Sequence, residues 1–140
     1  MKKYILWTAR QWVGTPYHHQ GRVKGVGCDC IGLIIGVCQE IGLINFDFTN
    51  YERTPDGTAM MQEREKHCTP TNKPEPGDLL VFRIKRNPRH VGLLTDGGII
   101  HAYQSAGKVV EHSLDQWWSD RVIGAFVLPI NFPNLTIADS

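Results

Sequence analysis

"RHVGLLTDGGIIHAY", residues 89 to 103, holds two short apolar runs on either side of Asp96-Gly97, and Asp-Gly between such runs is the strongest short-range signal of a two-residue hairpin turn. That turn pairs Thr95 with Gly98, which sets Gly92 opposite His101 and His90 opposite Tyr103. His90 and His101 then share one face as diagonal neighbours, their backbones roughly 7–8 Å apart. A slip of one residue would turn one of them to the other face. Pro88 and Arg89 put His90 at the mouth of its strand. Outward from the hairpin, "LLVFRI" at 79–84, "KVVEHSL" at 108–114 and "VIGAFVL" at 122–128 continue the pattern, with "SAGK" at 105–108 as a further turn. Five short apolar or alternating runs separated by turn residues predict an antiparallel meander.

The chain before residue 45 has a different period. Ile5, Ala9, Trp12 and Val13 recur at helical spacing, predicting a helix over 2–13 that Gly14 and Pro16 stop. "TPYHHQGRVKGVG" at 15–27 reads as a loop. Beyond "GCDC", Ile31 to Leu43 is apolar on nearly every side, as a helix buried all round should be, and Gly32 and Gly36 allow another element to pack close. Residues 45–75 carry Pro55, Pro70 and Pro74 and one short helical stretch, Ala59 to Lys66. Helices first and strands afterwards predict an α+β fold, one buried helix against an antiparallel sheet of five strands or so. Residues 1–130 read as one domain and 131–140 as a frayed tail.

The chain has 140 residues, with 15 basic and 14 acidic side chains and a net charge of +1. No window gathers lysine and arginine into a stripe that could follow a phosphate backbone, so nucleic acid is not an expected partner. Arg10 and Gln11 interrupt the apolar start before a signal-peptide core could form. The longest apolar run, Ile31 to Cys38, is far short of the ~20 residues of a membrane span. The expectation is a soluble chain made in the cytoplasm without a secretory signal. Cysteines at 28, 30, 38 and 68 lack the framework of a disulfide scaffold and read as reduced thiols.

Asp29 is a good N-cap, which places Cys30 in the first turn of the buried helix. Unpaired N–H groups and the helix dipole there favour a thiolate, with a pKa lowered to roughly 3.5–7.5 in known cases, and could hold an oxyanion. A thiolate nucleophile wants an imidazole beside it and a third group orienting that imidazole, and the hairpin supplies His90 and His101. Each residue also has a plainer reading. Cys30 could be a buried structural thiol, Asp29 only a cap, Tyr17 packing, His18 and His19 loop residues, and Trp117 and Trp118 a cover for the sheet edge. A metal site from Cys28, Cys30 and Cys38 with His67 or Cys68 is disfavoured, because no C-x-x-C pair occurs and Cys38 falls inside an apolar helix. No metal or other cofactor is expected.

Taken in order, "GTPYHHQG", "GCDCIGLI", "KPEPGDLLVF", "RHVGLLTDGGIIHAY" and "IGAF" resemble the NlpC and p-sixty family of bacterial papain-like cysteine peptidases, which cut peptidoglycan stem peptides. Within the family the chain looks like the compact phage-type members, which carry the "GTPY…HQ" stretch and a tryptophan-containing segment before a last strand. The resemblance implies a papain-like fold, with Cys30 as nucleophile, His90 as base, His101 as the orienting group, and Tyr17 and Asp29 beside the substrate. It implies hydrolysis of an amide near D-glutamate and a diamino acid through an acyl-enzyme, and contact with phage tail proteins or delivery to the wall by a virion tail or by lysis. Ile31 stands where the family usually has serine, and Cys28 is an extra thiol that raises a mixed-disulfide possibility. Two competing readings are a papain-like acyltransferase or amidase on another substrate, and a tail component with an inactive site.

Overall fold

The structure is a computed structural model that describes residues 1–44, 67–84 and 87–129. The short helix expected at 59–66 and the tail at 131–140 lie outside these residues. Helix α1 spans Lys2–Arg10, with Ile5, Leu6, Thr8 and Ala9 buried. It ends before Val13 because the chain turns at Gly14, whose φ is +93° and whose N–H donates to the Val109 carbonyl at 2.9 Å. The expected loop at 15–27 contains a small antiparallel ribbon, β1 (Arg22–Val23) with β2 (Gly27–Cys28). Gly25 at φ +79° makes its turn, which a branched or bulky side chain would resist.

Helix α2 spans Cys30–Glu40, capped by Asp29. It stops short of Leu43 in a Schellman motif: Gly42 takes φ +80°, its N–H reaches the Gln39 carbonyl at 3.1 Å, and the Leu43 N–H reaches Cys38 at 2.8 Å, which satisfies carbonyls the helix would otherwise orphan. Both helical glycines serve close packing. The Trp12 indole lies against Gly36, and the Gly21 carbonyl lies over Gly32, each where a side chain would otherwise stand.

Among the described residues the main sheet has six strands in the order β3-β8-β4-β5-β6-β7. These are β3 (Thr69–Pro70), β4 (Leu79–Ile84), β5 (Asn87–Leu94), β6 (Gly98–Tyr103), β7 (Lys108–Ser113) and β8 (Val122–Val127). The five apolar runs each become a strand, and the two-residue β3 is the addition: Thr69 and Pro70 have no apolar alternation to announce them and gain their place by pairing with β8. A 3-10 turn at Gln104–Ala106 joins β6 to β7, and a single-turn helix α3 (Gln116–Ser119) follows β7, capped by Asp115 accepting from the Trp118 N–H. The β5–β6 register, Leu93 with Ile100 and Leu94 with Ile99, is the one the Asp96-Gly97 turn dictates.

Period-two alternation divides the sheet into two dry faces. Leu79, Val81, Val91, Leu93, Ile100, Ala102 and Val109 pack with α1 and α2. Leu80, Phe82 and Ile99 pack with Ala125 and Trp118 in a second cluster. Among the described residues no helix is long and apolar enough to cross a membrane.

The contact between Trp12 and Gly36 makes a sharp packing test. Gly36→Ala should lower stability by about 1–3 kcal/mol through overpacking, although alanine is the better helix former. Denaturant unfolding with an unchanged or raised midpoint would show that the two helices are not seated on each other as described.

Candidate active site

The N-terminus of α2 is held by Asp29. Its carboxylate accepts from the Gly32 N–H at 2.7 Å and from the Gln20 N–H at 2.7 Å, with Arg22 Nη1 at 3.4 Å and His19 Nδ1 at 3.8 Å. At 2% exposure and with these bonds, Asp29 acts as a cap on α2 and a clamp on the loop at 19–22. His19, read as a loop residue, belongs to this clamp. Tyr17 is half-buried and bridges Cys28 through the backbone, and its N–H donates to the Gly107 carbonyl at 2.8 Å. It therefore stands one strand residue from the Asp29-Cys30 turn.

Cys30 is the first residue of α2, as expected, and is buried. Its sulfur receives backbone N–H groups from Val91, Ile31 and Cys30 itself, each of which favours the thiolate. The sequence-based expectation of a lowered pKa is nonetheless corrected. Burial first, and the Asp29 charge second, outweigh the three N–H groups and push the thiol up to about 12. Desolvation of a charge outweighs a helix terminus worth about 0.3–1 kcal/mol. Cys28, buried in β2, is likewise pushed up to about 12, chiefly by burial.

The N–H of Val91 sets the sulfur beside the His90–Val91 peptide. His90 is the fourth residue of β5, not its first, yet it does stand at a mouth: the β5–β6 ladder is registered only from Leu93 onward. On the other side of β5 the register with β4 shifts between Phe82 and Arg83, opposite His90. A β-bulge of this kind re-aims the side chain beside it. His90 Nε2 lies 2.6 Å from His101 Nδ1, so the ring nitrogen not engaged with His101 is Nδ1.

The line of imidazoles does not stop at His101. His101 Nε2 lies 2.8 Å from His112 Nε2, and His112 Nδ1 lies 2.9 Å from the Ser113 carbonyl oxygen. Trp118 packs its ring edge-on to His101, with centroids 4.7 Å apart, and Tyr103 stacks on the same imidazole at 5.3 Å. Trp118 thus covers the histidines rather than the sheet edge, whereas Trp117 is exposed. Under this cover burial holds His90 down to about 3, and burial, then the neighbouring His90 and His112, hold His101 down to about 2. Burial thus favours the neutral thiol at Cys30 and the neutral imidazoles at His90 and His101.

His112 and Trp118 were not singled out as site residues in the sequence. The signal for His112 was available: it repeats the eleven-residue step from His90 to His101, and β7 pairs Val110 with His101, so residue 112 is the diagonal neighbour on the same face. Trp118 had no such signal, because it reaches the face from a single-turn helix. The three histidines bond in series instead of converging, and among the described residues no group of His, Cys, Asp or Glu could hold a metal ion.

A papain-like α+β domain with a cysteine at the head of its buried helix and histidines on the adjoining strands defines a class. Residues 14–127 match the NlpC/P60 family, and the chain belongs to that family. It is 28% identical over 123 residues to the murein DD-endopeptidase MepS/murein LD-carboxypeptidase of Escherichia coli K12, a match covering 86% of this chain and 60% of the relative. The chain thus spans about 60% of the length of the curated relatives it matches. Among solved structures it is similar to the NlpC/p60 domain of the peptidoglycan hydrolase SagA, with a TM-score of 0.67, 24% identity, and coverage of 91% of this chain and 99% of that one. It is also similar to an NLP/P60-family, lipoprotein-like protein of Staphylococcus aureus Mu50, with a TM-score of 0.66, 23% identity, and coverage of 91% and 41%. These structural likenesses show the fold.

The neutral histidines imply a pH dependence of stability. His90 is held down from 6.5 to about 3, so between those values the unfolded chain binds the proton that the folded chain refuses, and stability falls as pH falls. Each such histidine contributes a slope that is about 0.7 kcal/mol per pH unit at pH 6.5 and rises toward about 1.4 below it. Denaturant unfolding between pH 6.5 and about 5.5, above the range of most carboxylates, should show this slope, and His90→Gln should make it shallower. An equal slope in the variant would mean that His90 is charged in the folded protein.

Proposed function

We propose that this chain is a cysteine endopeptidase that hydrolyses amide bonds in peptidoglycan peptides, with residues 1–130 as its catalytic domain. The observation that carries the reading is the Cys30 sulfur at the start of α2, receiving three backbone N–H groups beside a histidine whose far ring nitrogen is already tied to His101. Such an arrangement suits base-assisted attack from a neutral pair. The Cys30 S–H proton passes to His90 Nδ1 as sulfur bonds to the amide carbon. The N–H groups at the head of α2 hold the oxyanion. His90 then returns the proton to the amide nitrogen, the C–N bond breaks, and a thioester remains on Cys30. Water attacks the thioester carbon and gives one proton to His90; the C–S bond then breaks, the sulfur takes that proton from His90 to restore the thiol, and the released acid loses its remaining proton to solvent as the carboxylate. His101 keeps the His90 ring oriented, and Tyr17 lies on the substrate side.

Two bonds are candidates within this substrate class. The likeness to phage-type members favours the link between D-glutamate and a diamino acid, whereas similarity to a relative named for DD-endopeptidase and LD-carboxypeptidase activity favours bonds involving the terminal D-residues. Delivery by a virion tail or by lysis, and contact with tail proteins, rest on the phage-type likeness alone.

Incubation with purified cell wall, followed by mass analysis of the released peptides, tests the reading and distinguishes the bonds. New free carboxyl ends are expected. Acyl transfer to an added amine without hydrolysis would instead mark a transferase, and no turnover of either kind would mark an inactive tail component. Cys30→Ser should lose nearly all turnover and Cys28→Ser little, because Cys28 lies before the cap, in β2, and not in the first turn of α2. His90→Ala should be inactive but folded. His101→Asn should retain more than His101→Ala, because an orienting group needs to offer the base an acceptor. Activity that survives in Cys30→Ser and vanishes in Cys28→Ser would refute the nucleophile assignment.

A further inference from the structure

We propose that His112 is a positioning residue of the active site, the terminal member of a three-histidine relay that fixes which nitrogen of His90 carries the hydrogen and which is left bare. The proposal rests on the catalytic reading above, but its geometry stands on its own. The Ser113 carbonyl, 2.9 Å from His112 Nδ1, can only accept, so Nδ1 of His112 carries a hydrogen. When each ring carries one such hydrogen, the rest of the line has no freedom. His112 Nε2 is then a bare acceptor, and His101 Nε2, 2.8 Å away, must donate to it. His101 Nδ1 in turn accepts, and His90 Nε2, 2.6 Å away, must donate. The His90 Nδ1 is left as a lone pair, the state a base needs before it can take a proton from Cys30.

One backbone carbonyl therefore propagates its direction through three rings and delivers a base of the correct tautomer. The device depends on the rings being held in place. Trp118 contacts all three, with centroid distances of 5.8 Å to His90, 4.7 Å to His101 and 5.7 Å to His112. His90 and His101 are also buried, so no competing water can readily reverse a ring's preference. Without His112, His101 could donate from either nitrogen, and in the wrong form it would donate to His90 Nε2 and leave the hydrogen on Nδ1. A wrong tautomer at the base is costly even where geometry is intact.

Imidazole nitrogen NMR on the 15N-labelled chain at neutral pH reads each tautomer directly. The expected result is hydrogen on Nδ1 of His112, on Nε2 of His101 and on Nε2 of His90, with the His101 and His90 assignments becoming mixed or reversed in His112→Phe. On purified cell wall, His112→Phe should reduce kcat on the order of ten- to a hundredfold with KM little changed. His112→Gln, whose amide oxygen can accept from His101 while its NH2 donates to Ser113, should recover part of the loss. Hydrogen on Nδ1 of His90 in the unaltered chain would overturn the proposal, and so would identical His90 and His101 signals in His112→Phe. If the unaltered chain releases no peptide from the wall, the proposed function fails, and the ring assignments still decide the relay.

Discussion

The site depends on one buried carboxylate. Asp29 accepts from Gly32 on one side and Gln20 on the other, which ties the first turn of α2 directly to the loop before β1. Charge-assisted bonds of this kind are about twice as strong as neutral ones, and truncating Asp29 would also remove a charged acceptor from Arg22. The glycines follow from the same constraint. Gly32 must be bare because the Gly21 carbonyl lies where its side chain would be, and Gly21 must be bare because the Gly27 carbonyl approaches it in the same way. Cys30 is placed by being next to the cap, so the position of the proposed nucleophile is a by-product of a stability device.

Dryness is the second theme. The α2 face of the sheet and the Trp118 face are both closed, and a group that gains charge between them loses more in hydration than nearby dipoles return. A resting ion pair of thiolate and imidazolium is therefore disfavoured, which suits the proposed attack coupled to proton transfer. Trp118 takes part in this although it offers no group to the chemistry: its ring replaces water above the histidines. The tryptophan and the imidazoles beneath it form a single packed unit, in which Phe82, edge-on to Trp118 at 5.3 Å, continues the contact into the sheet.

Much of this was legible in the sequence, and the reasons differ by element. The Asp96-Gly97 turn encodes register directly, so the pairing of His90 and His101 could be written down from residue numbers. The start of α2 could be read from Asp29 because a cap is a local interaction between residues three apart. The small ribbon at 22–28 and strand β3 were not legible, since two-residue strands carry no periodicity and exist through their partners. The thiol's pKa was misjudged because a helix terminus is visible in sequence while burial is not. Trp118 was misplaced for a related reason: a tryptophan pair after a strand signals apolar cover, but not what it covers.

The three histidines descend the sheet one strand at a time, from β5 to β6 to the outermost strand β7, at a constant step of eleven residues. That step is set by the two turns between the strands. Asp96-Gly97 and the 3-10 turn at 104–106 are thus length standards, because a single inserted or deleted residue in either would rotate the next histidine to the opposite face while leaving a good hairpin behind. Loops are ordinarily where a fold accepts changes in length. In this domain the two that join β5, β6 and β7 accept substitution far more readily than they accept a change in the number of residues.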